Sequence, residues 1–86
     1  MQNGILYVVA TPIGNMGDMT HRAIETLKSV DLVLCEDTRV TRNLLDHYMI
    51  GTGTMSYHAQ SKLSKHDKIL EMLAEGKSLA LVSDAG

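Results

Sequence analysis

Three short stretches of this chain are apolar without alternation: ILYVVA at residues 5–10, the centre of DLVLCE at 31–36, and LALV at 79–82. A strand with one wet face alternates polar with apolar side chains. A strand that does not alternate is covered on both faces, which is the habit of parallel sheets. The segments between these runs have the helical period instead. Ala23, Ile24, Leu27 and Val30 form one apolar stripe, Val40, Leu44, Leu45 and Tyr48 a second, and Ile69, Leu70 and Leu73 a third. A weak strand candidate at Thr54–Tyr57 completes the order βαβαβαβ. The chain is therefore expected to be an α/β fold, a mostly parallel sheet flanked by helices with right-handed crossovers.

Local chemistry marks the boundaries. Pro12 lacks a backbone donor and ends the first strand. Thr20 or Asp18 can cap the first helix, and Thr38 or Thr41 the second. Gly51 and Gly53 interrupt the second helical pattern. Ser64 followed by Asp67 resembles a capping box for the third helix, and Gly76 suits its carboxyl-terminal stop. The chain stops at Ser83-Asp84-Ala85-Gly86, just where a strand-end loop begins. Residues 1–86 are thus expected to be the amino-terminal part of the first domain of a two-domain protein, with the second domain absent. The uncovered last strand should offer an edge or face to a second copy, favouring a homodimer or other self-association.

Composition narrows the class. With 86 residues, 44% of them hydrophobic, the chain is one small domain or a piece of one. No run approaches a membrane span, and no basic segment leads into a secretory-type apolar core. Cys35 has no second cysteine to pair with and lies in an apolar run, as a buried thiol in a reducing compartment would. The expected location is cytoplasmic. Charge is unevenly spread. Residues 1–37 set Arg22 and Lys28 against Asp18, Glu25, Asp31, Glu36 and Asp37, whereas residues 38–68 set Arg39, Arg42, Lys62, Lys65 and Lys68 against Asp46 and Asp67. The basic middle segment is either a phosphate-contacting surface or a pair of solvated helix faces.

In a parallel sheet, chemistry gathers in the loops after the carboxyl ends of the strands. Four such loops follow from the pattern. Thr11–Asp18 carries Gly14 and Gly17, where backbone can approach a ligand closely, or it is an ordinary turn. Glu36-Asp37-Thr38-Arg39 holds two carboxylates and a guanidinium, a general-base and anion-binding set or a helix cap with its ion pair. His58 is a proton acceptor or a bystander. Asp84 is a ligand anchor or the cap of a following helix. There is no CxxC or HxxxH spacing, and no metal site is expected.

Taken together, ATPIGNMGD, CEDTR and VSDAG, with SYHAQSK between the last two, resemble the tetrapyrrole (corrin/porphyrin) methylase superfamily, on its ribosomal RNA branch. The resemblance covers essentially the whole chain, and it is the order of the blocks that makes it specific. It implies a two-domain α/β enzyme that uses S-adenosyl-L-methionine to methylate the ribose 2′-hydroxyl of a cytidine in 16S rRNA of the small ribosomal subunit. It places the cofactor against Pro12, Ile13 and Gly14 on one side and Asp84, Ala85 and Gly86 on the other. Porphyrin-type relatives have a more glycine-rich first loop, and Pro12-Ile13-Gly14 departs from that. The residues then nominated for catalysis are Glu36 or Asp37 as proton acceptor, with Arg39 on phosphate. The competing readings are a methylase of a small cyclic substrate and a non-enzymatic RNA-binding module.

Overall fold

The computed structural model describes residues 4–11, 19–57 and 63–83. They form β1 (Leu6–Ala10), α1 (His21–Ser29), β2 (Leu32–Cys35), α2 (Thr38–His47), β3 (Thr54–Ser56), α3 (Leu63–Ala74) and β4 (Leu79–Ser83). The strands lie in the order β1-β4-β2-β3, and every pairing is parallel. The expected α/β alternation is present, with each helix joining two parallel strands.

The two faces of the sheet carry separate cores. Val9, Val33 and Ala80 point to one face, where α1 brings Leu27 and Val30, and α2 brings Leu44 and Leu45. Leu34 and Leu79 point to the other, where α3 brings Ile69, with Met72 and Leu73 partly buried beside it. Topology explains this division. The steps from β1 to β2 and from β2 to β3 run one way across the sheet, and the step from β3 to β4 runs back. Right-handed crossovers therefore put α1 and α2 on one face and α3 on the other.

β4 is central, not the open edge that its place in the chain suggested. The edges belong to β1 and β3. This corrects the expectation for β1 as well. Only Val9 is buried, while Ile5, Leu6, Tyr7 and Val8 are exposed, Val8 at 70%. An edge strand has one neighbour, and the helix that packs most on β1 is α1, through the face that carries Val9. Leu6 and Val8 share the other face with Leu79 and Leu81, beyond the reach of α3.

The helix ends show which local signals prevailed. Thr20 caps α1, its hydroxyl accepting from the Ala23 N–H at 3.1 Å. Asp37 caps α2 in place of Thr38 or Thr41, accepting from the Arg39 N–H at 2.9 Å. Thr41 faces the core instead, and Val40 is 65% exposed. Both shifts follow from a helix that starts at Thr38, because 100° per residue then turns Thr41, Leu44 and Leu45 inward together. α3 begins at Leu63, so Ser64 lies inside its first turn, and Leu70 points outward. Gly76 ends α3 with φ 89°. Its N–H donates to the Leu73 carbonyl at 3.0 Å and that of Lys77 to Met72 at 3.1 Å, the paired bonds of a Schellman motif. Pro12 and Asp18 lie outside the described residues.

Candidate functional site

Because all four strands are parallel, their carboxyl ends share one rim of the sheet. Ala10 and Ser83 are register partners, and the Thr11 N–H donates to the Ser83 carbonyl at 2.8 Å. The buried Thr11 hydroxyl reaches the same carbonyl at 3.3 Å. The chain thus leaves β1 and β4 from points about 4.8 Å apart, the spacing of neighbouring strands. Pro12, Ile13 and Gly14 follow the first exit, and Asp84, Ala85 and Gly86 follow the second. These six residues lie outside the described set, as does His58, but the strands that launch them are adjacent. Open α/β sheets hold ligands just beyond the carboxyl ends of their strands.

β2 ends next to β4 and delivers Glu36, Asp37 and Arg39 to the same rim. Glu36 and Asp37 are both exposed. Asp37 is committed to the cap, and the backbone N–H of Arg39 holds its carboxyl below the usual carboxylate range. The Arg39 Nε lies 3.5 Å from an Asp37 oxygen, and the arginine side chain is 90% exposed. Glu36 has no side-chain hydrogen bond or ion pair among the described residues. The two adjacent acids therefore differ in kind. Asp37 holds a helix start, and Glu36 is unengaged among the described residues.

Cys35 is buried directly before them, its thiol 3.9 Å from the Met55 carbonyl. That is the environment of a packed thiol, not of an activated nucleophile. Among the described residues no cluster of His, Cys, Asp or Glu is arranged to hold a metal ion.

Sequence reasoning passed over two features of α2. Arg42 was counted only as charge, yet it is a clamp. Its guanidinium donates to the carbonyls of Ile50 and Thr52 and pairs with Asp46 at 3.1 Å. Thr38, Arg39, Arg42, Asn43 and Thr54 line an open groove of about 390 Å³ beside edge strand β3. The signal for the groove was the i, i+4 spacing of Thr38 with Arg42 and of Arg39 with Asn43, which puts all four on neighbouring rows of α2.

Comparison with known proteins places this rim in a class. The family described as Tetrapyrrole (Corrin/Porphyrin) Methylases matches residues 5–86, and the chain belongs to that family. Within it, the chain is similar to proteins named "Ribosomal RNA small subunit methyltransferase I". It is 59% identical to that of Bacillus subtilis over 83 residues, 96% of this chain and 28% of the relative. It is 55% identical to that of Synechocystis sp. over 83 residues, 96% of this chain and 30% of the relative. With that of Mycoplasmopsis pulmonis it shares 51% over 81 residues, 94% of this chain and 36% of the relative. The chain thus spans about a third of the length of these relatives.

Proposed function

We propose that this chain is the first part of an S-adenosyl-L-methionine-dependent methyltransferase that modifies the ribose 2′-hydroxyl of a cytidine in 16S rRNA. The observation that carries the reading is the identity, above one half along nearly the whole chain, to proteins named for methylation of small-subunit ribosomal RNA. The pairing of β1 with β4 supports it, since Thr11 and Ser83, which directly precede Pro12 and Asp84 in the chain, are hydrogen-bonded neighbours.

When bound, the cofactor supplies an electrophilic methyl group on a sulfonium. The protein's part is alignment and proton transfer. Pro12, Ile13 and Gly14 hold the donor from one side, and Asp84, Ala85 and Gly86 from the other. Glu36 takes the hydroxyl proton as the new oxygen–carbon bond forms and the sulfonium–carbon bond breaks. Asp37 is the weaker candidate for that role, because its oxygens serve the cap of α2 and a lowered pKa makes a poorer base. Arg39 meets a phosphate of the RNA.

The test is Glu36→Gln and Asp37→Asn in the longer enzyme, assayed for methyl incorporation into small subunits. Glu36→Gln is expected to lower kcat by about two orders of magnitude or more with RNA affinity retained, the usual weight of a general base. Asp37→Asn keeps a capping side chain and should retain most of the activity. Undiminished turnover in both variants would remove the carboxylates from the chemistry. The family description itself favours one further reading, methylation of a small cyclic substrate. Methyl transfer to a corrin-type acceptor, with none to RNA, would establish it.

A further inference from the structure

We propose that the groove between α2 and the open edge of β3 seats a phosphodiester of the RNA strand whose ribose reaches Glu36. This deepens the function proposed above and rests on it.

The lining is built of donors. Arg39 extends into solvent, 90% exposed, and among the described residues its side chain has one contact, at 3.5 Å to Asp37, which leaves most of its guanidinium N–H groups available. Asn43 lies one turn further along the same row of α2 and is exposed. Thr38 and Thr54 add hydroxyls. The edge of β3 adds backbone. The Gly53 carbonyl accepts from the Val33 N–H, and the Tyr57 N–H is spent on the Cys35 carbonyl. Those two residues face β2, and the two-residue period of a strand turns the polar groups of Thr54 outward. All five lining residues are polar or charged types, which suits an anion.

The charges are arranged for an anion that arrives from solution. Arg42 is held rigidly by two backbone carbonyls and by Asp46, so its charge forms a fixed wall and is not a mobile arm. Asp46 is occupied with Arg42, and Asp37 turns its carboxylate to the helix amides. The first turn of α2 adds the positive end of its dipole at Thr38. The groove is open and not enclosed, and it begins one residue beyond Asp37 at the catalytic rim. An extended polyanion can lie in it and continue over Glu36, whereas a small free anion would be poorly retained.

The experiment uses the longer enzyme and its RNA affinity at a series of salt concentrations. Each phosphate contact contributes close to one unit to the slope of log affinity against log salt. The double variant Arg39→Gln, Asn43→Ala is expected to lower that slope by about one unit and to raise KM for RNA about tenfold or more. Lys28→Gln, at the far end of α1, should leave both unchanged. Both groove side chains are exposed, and the cap uses the backbone of Arg39, so the fold tolerates the substitutions. Asn43→Ala alone provides a check that disturbs no charge, and it should raise KM with the slope retained. An unchanged slope and KM in the double variant, with an active parent enzyme, overturns the groove and leaves the function standing. A parent enzyme that does not methylate RNA at all overturns the function and the groove with it.

Discussion

Met49 has φ 57°, the only positive φ outside glycine among the described residues, and it is 90% exposed. It occupies the position that ends α2. The Met49 N–H donates to the Asp46 carbonyl at 3.0 Å and that of Ile50 to Leu45 at 2.8 Å, which closes the helix and drops Ile50 into the core. The left-handed conformation costs an L-residue about 1–2 kcal/mol, and glycine gives back part of that through its freer unfolded chain. Met49→Gly should therefore raise stability by about 0.5–1 kcal/mol in urea unfolding, while Met49→Val should lower it. Gly51 had looked like the stop signal for this helix. The turn comes two residues earlier, because the burial of Ile50 sets where the chain must reverse. The same competition decides the start of α2. Asp37 and Thr38 both carry capping oxygens, and the carboxylate at Asp37 is the one that meets the Arg39 amide.

β3 has three residues and one neighbour, and it is held from below by the turn that leads into it. Arg42 donates to the carbonyls of Ile50 and Thr52, and the Thr52 hydroxyl donates to the Leu27 carbonyl at 2.8 Å at the end of α1. These bonds tie α1, α2 and β3 together at the amino-terminal rim of the sheet. Arg42→Ala leaves two partly buried carbonyls unpaired and should cost about 2 kcal/mol. The loss should appear first as faster amide exchange across residues 50–56, with the β1–β4 seam unaffected. Arg42→Lys restores the charge without the fork and should recover only part of it. Element types were largely legible in the sequence, as were Thr20 and Gly76 at two helix ends, because these depend on neighbours a few residues apart. The clamp was not, since it joins residues through the folded turn.

At the scale of the molecule, the open side of β1 is the feature with the largest consequence. Ile5, Leu6, Tyr7 and Val8 form an exposed apolar strand whose outer backbone edge has no partner among the described residues. The Ile5 carbonyl and the Thr11 N–H face β4, so the alternate residues Leu6, Val8 and Ala10 turn their backbone groups away from it. Such an edge recruits other strands. The isolated 86-residue chain should associate as its concentration rises in sedimentation, and Val8→Lys should return it towards monomer without changing its far-ultraviolet circular dichroism. A chain that stays monomeric at every concentration would show that the edge is protected. No helix among the described residues is long and apolar enough to cross a membrane.

The sequence by itself determined the α/β alternation, the parallel sense of the strands, the Thr20 and Gly76 helix ends, and the contiguous acids Glu36 and Asp37. All of these are set by residues close together in the chain. Only the tertiary structure decided the strand order. Inserting β4 between β1 and β2 brought Thr11 and Ser83 together, and it left β1 exposed although its composition is that of a buried strand. Tertiary structure also joined Arg39 and Asn43 to Thr54 across a groove. The stretch beginning at Leu6 had suggested one wall of a ligand crevice. Thr11 and Ser83, 72 residues apart in sequence, are neighbours only because of the long-range pairing of the sheet.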